Sequence, residues 1–471
     1  MRVLQDGLFS AVLSCAFLLS CLIYSRVTRE QRIPYMDETF HIPQTQLYCE
    51  GRFREWDPMI TTLPGLYLVS IGLVKPVAWA LGWTGHLVCS TAMLRFINLL
   101  FSVGNLYLLY LLVYKIHHKD KAISSAKRIL SAFTLSVFPV LYFFTFLYYT
   151  DTGSTFFVLF AYLMCLSGNH KTAALLGLGA FCFRQTNIIW TVFCGGVLVS
   201  ERLTEAWKNE SKKEDRDLPA RGSPSEVIRG LRFLIHHVTS FKNLVAITSL
   251  TWPYFTVVLA FIVFLAVNGG IVVGDRTNHE ACLNFPQLFY FFTFTLAFSF
   301  PRMVLSPHRM KDFLYSLWRQ PVRYFILTAA CLLLVWKFTY VHKYLLADNR
   351  HYTFYIWQRI FQRHALARFL AIPVYMFAGW SFFDELRGKS LFWNLAFLVC
   401  LLAATVPQKL LEFRYFIIPY LIYRLNSPLP SVPKLVLELA LYGAVNTITL
   451  YLFLNKTFYW PDNEEKQRFM W

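Results

Sequence analysis

Two neighbouring carboxylates, Asp37 and Glu38, stand in the stretch YMDETFH (residues 35–41), directly after the first apolar run of the chain. Charged groups this close to a membrane are costly unless they are solvated or used. Adjacent side chains diverge whether the backbone is helical or extended, so the two acids cannot face one bond from opposite sides. One of them can do the chemistry. The neighbour then bonds to backbone, substrate or a basic side chain. His41 shares a helical face with either acid. The plainer alternative is a solvated loop whose Asp caps a helix.

A second group lies in DNRHYTFY (348–355), where Arg350 and His351 stand beside Asp348, with Lys343 shortly before. Arginine near a membrane surface suits bidentate binding of a phosphate. Tyr352, Phe354 and Tyr355 can pack on sugar rings or form an interfacial aromatic belt. Asp151 in YYTDTGS is a lone acid between two apolar runs, and LEFRYFIIP supplies Glu412 and Arg414. Arg184, Gln185 and Asn187 interrupt another apolar region, either as helix-packing groups or as the lining of a polar space. The chain has no Walker motif, HExxH, GxSxG or DxD pattern. His279 and Cys282 flank Glu280 without a second ligand pair of similar spacing. The residues therefore imply neither a metal nor another cofactor.

These groups must be held by membrane elements. Of 471 residues, 56% are hydrophobic and only 15% charged, against about 25% in soluble domains. Apolar runs long enough to cross a bilayer recur along the whole chain. The expectation is an all-α polytopic membrane protein of one domain, residues 1–471. The run 8–25 reads as a retained first helix rather than a cleaved signal. Further crossings are expected near 93–114, 129–146, 152–167, 172–184, 187–200, 244–267, 286–304, 322–341, 364–383, 389–406, 414–426 and 434–454, about thirteen in all (12–14).

The formal net charge of +18 resides in short loops, which points to a cytoplasmic face rather than to nucleic acid. Basic loops at 115–128, 201–232 and 301–323 are placed in the cytoplasm, and 201–243 is expected to be flexible. By alternation, 26–92 becomes the first loop on the far side. Its apolar part, 61–81, is broken by Pro64, Gly65, Gly72 and Pro76 and reads as juxtamembrane or re-entrant helices. Arg26, Arg29 and Arg32 then fall on the non-cytoplasmic side, against the positive-inside trend. The same topology gathers polar stretches at 34–65, 146–154, 183–187, 268–287, 342–357 and 407–420 on that side. Of the ten cysteines, Cys49, Cys89 and Cys282 fall in loops, where a disulfide between two of them is possible in an oxidising lumen; the sequence does not pair them.

The stretches PYMDETFHIPQTQLYC, WDPMITTLPGLY, FRQTNIIW, KYLLADNRHYTFYIW and PQKLLEFRYFIIPY resemble the signatures of the eukaryotic dolichyl-phosphate-glucose-dependent α-1,2-glucosyltransferases of asparagine-linked glycosylation. The resemblance runs nearly end to end. It implies a GT-C type fold in the endoplasmic reticulum membrane, with the active site facing the lumen. It implies dolichyl β-D-glucosyl phosphate as donor and the diglucosylated, nine-mannose lipid-linked oligosaccharide as acceptor. No cofactor is expected, and the chain is expected to be a monomer among membrane lipid. Asp37 falls at the place of the catalytic base, with Glu38 as support or alternative base. Arg350, His351, Lys343 and Arg414 are the candidates for the donor phosphate, and His41, Gln44, Asp151, Tyr352 and Glu412 for sugar and acceptor contacts. A transporter, or a scaffold modulating another membrane protein such as a channel, is the alternative reading. Transporters often show repeated halves and mid-membrane charges; here no halves repeat and the acids lie in loops.

Overall fold

The computed structural model describes residues 2–83, 88–120, 123–213, 219, 221–277, 281–461 and 463–471. Most of these residues fold as helices. Five helices are long and apolar enough to cross a membrane: Gly7–Glu30, Thr91–Ile116, Phe241–Asn268, Pro321–Phe338 and Val432–Asn455. A sixth span is bent by 61° between Ser125–Ser136 and Pro139–Phe146. The break falls at Pro139, whose ring removes a backbone donor and disfavours helical geometry in the residue before it. Serine caps fix several helix starts. Ser90, Ser124 and Ser390 accept from the backbone N–H of Met93, Lys127 and Trp393.

Most of the other expected crossings form shorter helices. Thr150–Leu166, His170–Phe183, Pro286–Phe298, Ile372–Glu385 and Leu391–Thr405 each fall short of about 20 residues. The expected flexible loop is helical over much of its described length. Helix Ile188–Lys213 runs on past residue 200, and Pro224–Thr239 packs Phe233 against Trp207 and Phe392.

The segment expected as a juxtamembrane helix is helix Gly65–Ala80, which is also shorter than a crossing. Gly65 lies so close to the next layer that a Cβ there would meet the Cys182 carbonyl oxygen at 2.5 Å. Helix Glu38–Cys49 packs on this helix through Tyr48 and His41 against Tyr67. A disulfide joins Cys49 to Cys89, tying the end of one helix to the start of the next span.

Aromatic rings fill the interior. Phe138 stacks on Tyr420 at 4.6 Å, and Phe382 on Tyr423 at 4.3 Å. At the end of the bundle away from Asp37, two ion pairs are sealed between helices. Arg424 meets Glu438 at 2.6 Å with neither side chain exposed, and Arg302 meets Glu385 at 2.7 Å.

The chain departs from an all-α fold after residue 455. Thr457–Trp460 and Asn463–Arg468 pair as an antiparallel hairpin. The residues beyond it run beside His351, where the Met470 N–H donates to the Arg350 carbonyl and the Tyr352 N–H to the Met470 carbonyl.

Candidate active site

Met36 takes a left-handed backbone conformation, φ 56°, which costs a non-glycine residue about 1–3 kcal/mol. The turn is held by its neighbours. The Glu38 carboxylate accepts from the Tyr35 N–H at 3.0 Å and from the Tyr148 N–H at 2.6 Å. Arg95, buried inside span Thr91–Ile116, grips both oxygens of Glu38 at 2.8 and 2.5 Å. Its remaining donors bind the carbonyls of Gln31 and Ile33. Neither Arg95 nor Glu38 is exposed. Glu38 thus anchors the turn that swings Asp37 the other way.

Asp37 projects into a cavity of about 1240 Å³. Every polar stretch grouped on one side by the sequence reaches this cavity, including Thr150, Arg184, Val272, His351 and Arg414. The side chain of Asp37 is 41% exposed, and one oxygen accepts from Arg414 Nη1 at 2.9 Å. Its backbone N–H donates to the Tyr149 hydroxyl at 3.1 Å. Arg414 also meets Glu412 at 2.9 Å and lies 3.8 Å from Asp151, with its guanidinium over the rings of Phe144 and Tyr149. Asp151 is clamped by Arg184 at 2.9 Å. Three carboxylates therefore face two guanidiniums, and Asp37 is the one most open to the cavity.

Burial presses the Asp37 carboxyl upward, but the Arg414 guanidinium, with His41 and His351, outweighs it and holds the group below the usual carboxylate range. Asp37 is ionised at neutral pH. Burial pushes His41 down to about 4, against the pull of Asp37, so its imidazole is neutral there. His41 Nδ1 and the Tyr67 hydroxyl share a 2.5 Å hydrogen bond. An ionised carboxylate open to a cavity can accept a proton from a bound hydroxyl, and the arginine beside it can stabilise an anion.

Arg350 and His351 line the same cavity. Arg350 grips Asp348 through two nitrogens at 2.8 Å each, reaches Gln467 at 3.2 Å, and lies 4.6 Å above the Trp460 ring. His351 Nδ1 shares a 2.8 Å hydrogen bond with the Trp471 carbonyl. Arg468 binds Gln31 Oε1 and the Glu30 carbonyl, and the Tyr35 hydroxyl bonds to its backbone. The C-terminal segment is thus a strap across the loops carrying Asp37 and Arg350.

Asp37, His41, Arg350, His351, Glu412 and Arg414 all border the cavity. Other candidates do not. Lys343 is exposed and off the wall, with its ammonium 5.5 Å from the Tyr344 ring. Gln44 is buried behind it, donating to the Glu55 carbonyl and accepting from the Asp57 N–H. Asp151 is buried behind Arg184, and the Tyr352 ring packs edge-on against Trp471. His279 and Glu280 lie outside the described residues. Sequence reasoning missed Arg95, Tyr149, Tyr67 and the hairpin. A lone arginine in an apolar span was a usable signal for Arg95, as was YWPDN for a turn.

Residues 31–425 match the DIE2/ALG10 family. The chain is 62% identical to the Dol-P-Glc:Glc(2)Man(9)GlcNAc(2)-PP-Dol alpha-1,2-glucosyltransferase of Rattus norvegicus and 60% to that of Homo sapiens, each over the full length of both chains. It is 34% identical to the protein of that name from Drosophila melanogaster, over 99% of this chain and 100% of the relative. No solved structure matches the chain.

Proposed function

This chain belongs to the DIE2/ALG10 family, and from that premise we propose that it is the glucosyltransferase its relatives are named for. It moves glucose from dolichyl β-D-glucosyl phosphate to Glc2Man9GlcNAc2-diphosphate-dolichol in α-1,2 linkage. The observation that carries this reading is the full-length identity to relatives so named. The open carboxylate of Asp37 beside Arg414 supplies chemistry that fits it.

The acceptor's 2-hydroxyl attacks C1 of the donor glucose from the face opposite the phosphate. A C1–O bond forms, the C1–O(phosphate) bond breaks, and configuration inverts from β to α. Asp37 takes the hydroxyl proton as general base. Dolichyl phosphate leaves as an anion and needs cations rather than a proton. Arg414 is bonded to Asp37 and so stands nearest the reacting centre; Arg350 and His351 complete the donor-phosphate side. Lys343, off the wall, is left out of that set. Glu38 supports Asp37 by fixing its turn. His41 and Glu412 contact sugar, while Gln44, Asp151 and Tyr352 shape the wall from behind.

The proposed architecture is a single GT-C domain of about thirteen crossings, counting the short helices as spans, in the endoplasmic reticulum membrane with the cavity luminal. Loop 26–92 is then luminal and 201–243 cytoplasmic. A disulfide near the site suits an oxidising lumen. The test is glucose transfer by purified protein in nanodiscs, with EDTA present, read by mass spectrometry as one added hexose. Transfer by wild type and none by Asp37→Asn supports the reading. No transfer by folded wild type with intact donor sinks it and brings back the transporter or scaffold.

A further inference from the structure

The cavity that holds Asp37 has a second cationic region. Arg29 and Arg32, at the exit of the first span, and Lys466, on the C-terminal hairpin, all line it and are exposed. Arg468, one strand period beyond Lys466, binds the Glu30 carbonyl and Gln31 Oε1, so strand and span exit lie side by side. Among the described residues, no acid pairs with Arg29, Arg32 or Lys466. The other arginines of the cavity are satisfied: Arg414 by Asp37 and Glu412, Arg184 by Asp151, Arg350 by Asp348, and Arg468 by carbonyls. Of the acids nearby, Glu30 lies 3.6 Å from Arg26, and Glu465 also lines the cavity.

Unmatched arginines at this place run against the trend that keeps basic residues cytoplasmic. They are suited to an anion at the membrane surface. On the glucosyltransferase reading, two lipids with phosphate heads must enter. The donor's phosphate is one bond from the attacked carbon and therefore belongs at the reacting centre, across C1 from Asp37 and within reach of Arg414. The acceptor's diphosphate is separated from its reacting glucose by the whole glycan, yet is fixed at the bilayer surface by its lipid. We propose that Arg29, Arg32 and Lys466 form a second lipid-phosphate subsite that takes the diphosphate end of the acceptor, with the glycan arching out between its two ends. Three cations oppose the two negative charges of a diphosphate diester.

This inference rests on the glucosyltransferase reading, and its test separates the two. The Arg29→Gln/Arg32→Gln/Lys466→Gln variant is compared with wild type and with Arg29→Lys/Arg32→Lys, which keeps the charge. Each exposed charge removed from a phosphate contact weakens binding by a factor of about two to five, and three are removed together. The expected result is an acceptor KM raised tenfold or more, donor KM and kcat within about twofold, and recovery in the lysine variant. Binding of dolichyl diphosphate, followed by native mass spectrometry, should fall in parallel. An unchanged acceptor KM overturns the subsite. A rise in donor KM alone overturns the assignment to the acceptor and gives the region to the donor's monophosphate. If wild type transfers no glucose, the binding arm still decides: equal dolichyl diphosphate binding by wild type and the glutamine variant overturns the subsite.

Discussion

Asp37 and Glu38 share a peptide bond, and each meets an arginine brought from a distant part of the chain. Glu38, like its partner Arg95, is fully buried. Both of its oxygens carry two hydrogen bonds, and Arg95 spends its other donors on backbone carbonyls. Around Asp37 one oxygen meets Arg414 and the carboxylate opens onto a large cavity. The Glu38 region resembles the Arg424–Glu438 pair at the other end of the bundle, also fully buried. Pairing with arginine therefore does not separate the two acids; access to the cavity does. A sealed pair orders the turn, and an open one can exchange a proton with a ligand.

Removing each acid should separate the two regions. Asp37→Asn should cut glucose transfer by about 10²–10⁴-fold, the range for loss of a positioned base, while the thermal unfolding midpoint stays close to wild type. Glu38→Gln should do the reverse in kind. It leaves Arg95 buried without its partner, which costs about 3–5 kcal/mol, and should appear as a much lower unfolding midpoint and poor yield. If Glu38→Gln kept its stability and lost activity as fully as Asp37→Asn, the division between anchor and base would collapse.

Much of this division was legible in sequence. Side-by-side acids cannot share one task, and the polar stretches grouped by alternation meet in one cavity. Which acid is sealed was not legible, because it depends on Arg95, and nothing local to YMDETFH points to that residue. Arg29 and Arg32 stood out only as exceptions to a topology rule; the structure puts both on the cavity wall. Helix lengths were less legible, because apolar composition reports burial in protein as readily as exposure to lipid, and several expected crossings form helices of fewer than about 20 residues. The hairpin was passed over because its strands are short and its bonding partners lie in loops more than a hundred residues earlier.

The open region can be probed more finely through pH. Asp37 must be ionised to accept a proton, so activity is lost as pH falls through its pKa, which Arg414 holds below the usual range. Wild type should show no acid limb from Asp37 above about pH 4. In Arg414→Gln burial is left with less opposition, so the limb should move to higher pH in the kcat/KM profile. An unmoved limb would mean that Arg414 does not set the charge of Asp37. The smallest effect is expected at Lys343, exposed and off the cavity wall. Lys343→Ala should leave donor KM within about twofold, since surface changes away from special features cost little. A large rise would extend the working region beyond the wall.

The strap from the hairpin to Trp471 has a consequence for biosynthesis. Arg350 and His351 lean on Gln467, Met470 and Trp471, and the turn before Asp37 leans on Arg468. In a nascent chain Asp37 and the loop with Arg350 and His351 are made long before the ribosome reaches residue 463. Until then neither has its cross-piece. A chain lacking residues 463–471 can hold Asp37, Arg350 and Arg414 and still lack the strap that braces them, so on the glucosyltransferase reading turnover waits for that last segment.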